Sequence, residues 1–326
     1  MRKNEVSEDL RTIDLFCGAG GSSYGARNAG ANIVAGFDLW STAIKAYGAN
    51  FPEARTFEGD LRNLDPVVVK KELGKIDLML ASPECTNHSL AKGAKLRDEA
   101  SKETAFEVTR YAKAFSPKWI VIENVKEMQS WSGHSRLLKE LWDLEYFVKE
   151  IELNSADFGV AQARKRLFLL CSLSGETTMN DKQEGAELNA ASTIIDWSDK
   201  YKFTPLFQEG RALNTLARAE NAIDELGAKE PFIMVYYGTG SGWQSIEDPL
   251  RTITTLDRFA LVKPSKKGHI MRMLQPEELK LAMGFGNNYS LDIGVTRREK
   301  IKLMGNGVCP PVMTSIIKNL CISPKP

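Results

Sequence analysis

Four short apolar runs, alternating with stretches of helical character, constrain this chain more than any other feature. RTIDLFC (11–17), ANIVAGFD (31–38), KIDLMLAS (75–82) and KWIVIENV (118–125) each have the length of a buried strand. SSYGARNAG, WSTAIKAYGANF and SKETAFEVTRYAKAF lie between them and read as helices. Strands that are apolar on both faces need cover on both faces, and helices that follow strands in alternation supply it. The expected fold is therefore α/β, a doubly wound and mostly parallel sheet. YFVKEIELNSADFG and RKRLFLLCSL follow and are close enough in sequence to pair as an antiparallel edge hairpin.

From Ser174 to about Glu230 the sequence is polar, irregular and poor in strand signals, the mark of an inserted small domain. Strand character returns in PFIMVYYGTG and RTITTLDRFALV, and LQPEELKLAMGF and NGVCPPVMTSIIKNL read as helices. The expected organisation is a catalytic domain over 1–173, a smaller domain over 174–263 and a returning segment over 264–326. With 326 residues, 43% hydrophobic and 26% charged, the chain has the composition of a globular protein with a sizeable core. No apolar run approaches the roughly 18 residues of a membrane span, and MRKNEVSEDLR carries no secretory signal, so a cytoplasmic location is expected. The five scattered cysteines show no ligand spacing, which predicts reduced thiols and no metal site. Net charge is +1, which argues against a globally basic, phosphate-seeking surface. Charges segregate, however: Gly175–Asp248 is acidic on balance, whereas Arg251–Lys302 holds eleven Lys/Arg against five Asp/Glu.

DLFCGAGG (14–21) places glycines directly after the first strand, where backbone can curl under a ligand at a helix N-terminus. The spacing matches neither the dinucleotide fingerprint nor a Gly-Lys-Ser/Thr nucleotide loop. Asp38 closes the second strand, where a carboxylate can accept hydrogen bonds from ribose hydroxyls; it could equally cap the next helix. Asp60 adds another carboxylate at the same sheet edge. Acids and a glycine turn without a phosphate-binding cation suit an adenosine ligand that carries no phosphate, such as S-adenosyl-L-methionine. Cys85 and Glu123 each follow the carboxyl end of an expected parallel strand, where open α/β sheets bind ligands. Taken singly, Cys85 reads as a packed thiol and Glu123 as a loop acid.

Together with FD (37–38), GD (59–60), PEC (83–85), ENV (123–125), QARKR (162–166) and GNGVCPP (305–311), the glycine turn resembles the DNA cytosine-5 methyltransferases in order and spacing. The resemblance covers nearly the whole chain outside 174–230. It implies the class I S-adenosylmethionine-dependent methyltransferase fold, a target-recognition domain and duplex DNA as partner, with a monomer sufficient for the chemistry. It also implies cofactor contacts from Phe16, Gly18, Ala19, Gly20, Gly21, Asp38, Leu39, Asp60, Leu61 and Asn306. The catalytic set it implies is Cys85, Glu123, Asn124, Arg164 and Arg166. Cys85 would attack carbon 6 of cytosine, Glu123 would protonate or hydrogen-bond ring nitrogen 3, and Arg166 would bind the carbonyl oxygen. Arg164 would support the thiol or a nearby phosphate, and Asn124 would fix the loop around Glu123. Without the other motifs, Arg164 and Arg166 would read as a basic face on an edge strand.

This chain departs from the family in two places. Cys85 follows Glu84, with Pro83 one position earlier and Thr86 where the family has Gln; an anionic Glu84 beside the thiol would raise its pKa unless it points away. Leu39 stands where members often carry an aromatic. The loop SLAKGAKLRDEASK could close over DNA through Lys92, Lys95 and Arg97, or be a solvated loop. Phosphate contacts are expected from the basic stretch that includes Arg251 and Arg258, along with Lys263, Lys266 and Lys267. Two further readings share the motifs: a catalytically silent DNA-binding or regulatory relative, and a tRNA cytosine-5 methyltransferase.

Overall fold

The computed structural model describes residues 10–83, 103–183, 185–198, 200–238 and 240–322. Its larger sheet has seven strands: β1 (Arg11–Leu15), β2 (Asn32–Asp38), β3 (Arg55–Glu58), β4 (Leu78–Ala81), β5 (Trp119–Asn124), β6 (Phe147–Asn154) and β7 (Lys165–Ser172). They lie in the order β3-β2-β1-β4-β5-β7-β6. The five strands from β3 to β5 are mutually parallel. β7 pairs antiparallel with both β5 and β6, so the hairpin forms the far edge. The fold expected from the sequence, a doubly wound and mostly parallel sheet, is the one observed.

Alternation along each strand explains why both faces are covered. In β4, Leu78 and Leu80 join one core cluster while Met79 and Ala81 join the other; in β7, Phe168 and Leu170 oppose Leu167 and Leu169 in the same way. Helices α1 (Gly21–Asn28), α2 (Ser41–Asn50), α3 (Pro66–Leu73), α4 (Phe106–Phe115) and α5 (His134–Asp143) connect the strands of this sheet. The start of α3 is written locally: Pro66 opens it, and the Asp65 carboxylate accepts from Val67 N at 2.8 Å.

A second sheet contains β8 (Thr204–Pro205), β9 (Phe232–Val235), β10 (Trp243–Ser245), β11 (Phe259–Ser265) and β12 (Gly268–Met273), ordered β10-β9-β11-β12-β8. Ile233, Val235, Phe259 and Leu261 face the large sheet's core. Phe232, Met234, Ala260 and Val262 face α6 (Leu213–Leu226). α6 falls within the stretch that reads as irregular, because only Ala219 and Ala222 of its residues are buried and so narrow a stripe gives a weak periodic signal. RTITTLDRFALV is strand only from Phe259 onward. Residues 250–255 instead run beside QARKR, with Leu250 N donating to Ala161 O and Ala163 N to Leu250 O.

The chain closes with α7 (Pro276–Ala282), α8 (Arg297–Asn306) and α9 (Pro310–Ile322). α8 begins in a reciprocal cap between Thr296 and Glu299. α9 packs against α1 so closely that a Cβ on Gly25 would stand 2.5 Å from Pro310 O. No helix among the described residues is long and apolar enough to cross a membrane.

Candidate active site

Between β1 and β4 the connections leave in opposite directions, and their carboxyl ends open a crevice, as they do in open α/β sheets generally. A cleft of about 1130 Å³ lies there, walled by the turn after β1, the ends of β2 to β5, the start of β7, residues 252–256 and the end of α8. The turn is built from left-handed backbone: Phe16 has φ 57°, Gly18 φ 53° and Gly20 φ 76°. Positive φ is unusual at a non-glycine residue such as Phe16 and is found where a ligand site over-determines the backbone.

Asp38 ties this turn to the next. Its Oδ2 accepts from Gly18 N and its Oδ1 from Trp40 N, both at 2.8 Å. The carboxylate lines the cleft at this turn, a position from which an acid can accept from hydroxyl donors. Asp60 caps the turn at Leu61–Asn63 and pairs with Arg62 at 2.6 Å, a hydrogen bond that holds its carboxyl below the ordinary range. The far end of the chain supplies the remaining wall. Asn306, Gly307 and Val308 line the cleft, and Val308 O lies 2.2 Å from where a Cβ on Gly21 would stand. Tyr289 OH donates to Ala19 O at 2.5 Å. Beneath the turn, Ser23 Oγ donates to the buried Asp14 at 2.7 Å and meets Tyr47 OH at 2.7 Å.

At the opposite end of the cleft stand Glu123, Arg164 and Arg166. Glu123 is 7% exposed and lies 3.2 Å from Arg166 Nε. Burial raises its carboxyl pKa above the ordinary value, and the charges of Arg166 and Arg164 and a hydrogen bond from Ser82 offset only part of this. Asn124 is buried; its Nδ2 donates to Pro83 O at 3.2 Å and its Oδ1 accepts from Val125 N. Asn124 thereby joins the strand carrying Glu123 to the residue two places before Cys85.

Of the residues expected at the cofactor end, Phe16, Gly18, Ala19, Gly21, Asp38, Leu39, Asp60, Leu61 and Asn306 line the cleft. Gly20 does not line it: it caps α1 above the Tyr47 and Phe51 rings, where a side chain would collide. Of the residues expected to be catalytic, Glu123, Arg164 and Arg166 line the cleft and Asn124 does not. Arg164 is only 4% exposed, so it is no part of an exposed basic face. It donates to Ile253 O at 3.0 Å and Gly305 O at 2.9 Å, tying residues 250–255 to the end of α8. Arg251 and Arg258 do not line the cleft; both lie in the connection between β10 and β11. Cys85, Lys92, Lys95 and Arg97 lie outside the described residues.

Sequence reasoning missed Trp40, Lys302 and Thr254, all of which line the cleft. Lys302 Nζ sits 4.1 Å from the centroid of the Trp40 ring. Trp40 had a local signal, since it adjoins Leu39, where an aromatic was sought. Lys302 and Thr254 arrive through contacts distant in sequence and had none.

The donor set can be tested against the methyl donor. A Cβ on Gly18 or Gly59 would meet nothing within 4 Å, so backbone faces open space at both turns. Two carboxylates flank that space, with Phe16, Leu61 and Trp40 as apolar walls. These groups fit an adenosine with a cationic sulfur and no phosphate. Fold and cleft together define an S-adenosylmethionine-dependent methyltransferase.

The C-5 cytosine-specific DNA methylase family model matches residues 10–321, and the chain belongs to that family. It is 27% identical over 314 residues to the type II methyltransferase M.AgeI of Thalassovita gelatinovora, covering 91% of this chain and 70% of that protein. It is 32% identical over 252 residues to M.HgiDI of Herpetosiphon aurantiacus, covering 74% and 80%. Among solved structures, S. pombe Dnmt2 methyltransferase superimposes with a TM-score of 0.71 at 16% identity, covering 95% and 98% of the two chains. Entamoeba histolytica methyltransferase EhMeth gives 0.70 at 18% identity, covering 96% and 98%. These two likenesses concern the fold.

Proposed function

We propose that the chain methylates carbon 5 of cytosine in duplex DNA through a transient bond between Cys85 and carbon 6 of a flipped-out base. The observation that carries the mechanism is the buried Glu123, its carboxyl pKa raised, beside Arg166 and joined through Asn124 to the strand end that leads to Cys85. When bound, S-adenosylmethionine supplies an electrophilic methyl group on its sulfonium.

Carbon 5 of cytosine is a weak nucleophile, and addition of the Cys85 thiolate at carbon 6 makes the ring an enamine. Charge then develops on the ring, and Glu123 in its protonated form holds a proton at ring nitrogen 3. Its raised pKa favours that form, while Arg166 orients the carboxyl and faces the ring carbonyl. Asn124 holds Pro83, two places before Cys85, through its bond to the Pro83 carbonyl. Water held in the cleft takes the hydrogen from carbon 5 before the thiol leaves. Extruding the base costs a few kcal/mol, which contacts between the protein and the duplex must offset.

The excursion over 174–263 serves as the recognition domain in this reading. The type II relatives favour a role in restriction-modification; a monomer suffices for the chemistry, and the expected location is the cytoplasm. Duplex DNA containing 5-fluorocytosine tests the mechanism, because carbon 5 then has no hydrogen to lose. A denaturation-resistant adduct with wild type and none with Cys85→Ser is expected. No adduct, with cofactor binding intact, would point to the silent relative, and methyl incorporation into tRNA alone would move the substrate to RNA.

A further inference from the structure

β3 stands at the end of the large sheet beside β2, mostly exposed, and the turn that follows it has little backbone support of its own. That turn, Leu61–Asn63, closes through Asn63 N donating to Asp60 O at 2.9 Å and Leu64 N donating to Leu61 O at 3.2 Å. A single turn of 3₁₀ geometry has poorly aligned hydrogen bonds and does not hold its shape alone. Asp60, Leu61 and Arg62 nevertheless line the cleft.

Support for the turn comes from α4. Arg110 Nη1 donates to Leu64 O at 3.0 Å and Nη2 donates to Leu61 O, so one guanidinium grips both ends of the turn. Its Nε donates to Glu107 Oε2 at 2.7 Å, one helical turn earlier on the same face, and that carboxylate oxygen also lies 2.5 Å from Nη2. A planar fork with five donors serves two carbonyls and a carboxylate in fixed directions, which an ammonium on a flexible stem cannot do. Arg110 lies over the Tyr111 ring, 5.3 Å from its centroid. Tyr111 meets Phe37 of β2 edge to face at 5.9 Å, and Phe37 stacks on Phe57 of β3 at 4.5 Å. Arg110 itself does not line the cleft, so any effect it has there passes through Leu61 and Asp60.

We propose that Arg110 is a positioning residue for the cofactor: steered by Glu107, it holds the turn that carries Asp60 and Leu61 in the shape that S-adenosylmethionine binds. Without the fork the turn samples other shapes, and affinity falls in proportion to the fraction that stays competent. Turnover at saturating cofactor is unaffected, because the bound state is the same once formed. Arg110 lies 46 and 49 positions from the carbonyls it holds, so no local motif marks it.

The test reads cofactor binding without nucleic acid, so its outcome does not depend on which substrate the chain methylates. The full chain as wild type, Arg110→Gln, Arg110→Lys, Glu107→Gln and the control Arg55→Gln is titrated with S-adenosylmethionine and with its demethylated product, S-adenosylhomocysteine, by calorimetry. Arg110→Gln is expected to weaken both ligands by about 10-fold, and Arg110→Lys and Glu107→Gln by about 3-fold, since each keeps part of the grip. Arg55 of β3 pairs with Glu72 of α3 instead, and Arg55→Gln is expected to leave affinity unchanged. In turnover assays on duplex DNA, Arg110→Gln should raise KM for S-adenosylmethionine by about the same 10-fold while kcat and KM for DNA stay within about 2-fold. If Arg110→Gln does not fold, Arg110→Lys and Glu107→Gln decide the question. A folded Arg110→Gln with a lowered thermal midpoint and unchanged affinity would overturn the proposal, as would a fall in kcat at saturating cofactor with KM unchanged.

Discussion

Replacing Asp14 with Asn should stabilise the protein relative to wild type by an amount that grows as pH rises. Asp14 sits on β1 beneath the glycine turn, fully buried; Oδ2 accepts from Ser23, and Oδ1 has no partner. Burial lifts its carboxyl from 3.8 to about 7, with the hydrogen bonds from Ser23 lowering it and the charge of Asp38 adding to the rise. Between those values the native protein holds a proton that the unfolded chain has lost, so stability falls with rising pH by about 1.4 kcal/mol per unit. The contribution is fully present below the unfolded pKa and is lost by the time pH passes the folded one, about 4 kcal/mol in all. Asn offers Ser23 the same acceptor and never ionises. Urea unfolding of both proteins, followed by tryptophan fluorescence, measures the difference, and the other carboxylates cancel in it. The gap should grow in favour of Asp14→Asn by about 3 kcal/mol from about pH 5 to about pH 8. Parallel loss of stability in the two proteins would refute the assignment of a buried, proton-holding Asp14.

Arg164→Met leaves the carbonyls of Ile253 and Gly305 buried without their donor, and an unfolding measurement should show a loss of about 2–5 kcal/mol. Arg272 and Glu278 form a buried pair at 2.6 Å between β12 and α7, so Arg272→Met alone should cost about 3–5 kcal/mol while Arg272→Met with Glu278→Leu recovers most of it. Both follow from chemical denaturation with a double-mutant comparison. Gly305→Ala puts a methyl group 2.4 Å from the Thr254 carbonyl, and calorimetry should show destabilisation of about 1–3 kcal/mol.

The large sheet was legible because its parallel strands are buried on both faces and read as continuous apolar runs between helices. The second sheet was only partly legible: β12, GHIMRM, mixes polar and apolar residues on a half-covered surface, and α6 buries little. The residues lining the cofactor end were mostly legible as well, since switch-point geometry follows from strand order. The roles of Arg164 and Asn124 were harder to read. Arg164 is fixed by carbonyls 89 and 141 positions away in sequence, and Asn124 by one 41 positions away. No local pattern encodes such partners. Gly305 resembles an ordinary helix-end glycine until the Thr254 backbone is found against it.

The most direct measurement is tritiated methyl transfer from S-adenosylmethionine to unmethylated duplex DNA by wild type, Cys85→Ser and Glu123→Gln at equal folded concentration. Wild type should yield 5-methylcytosine, Cys85→Ser none above background, and Glu123→Gln a rate lower by about 10²- to 10⁴-fold. Incorporation by Cys85→Ser at the wild-type rate, or full activity in Glu123→Gln, would contradict covalent catalysis through these two residues.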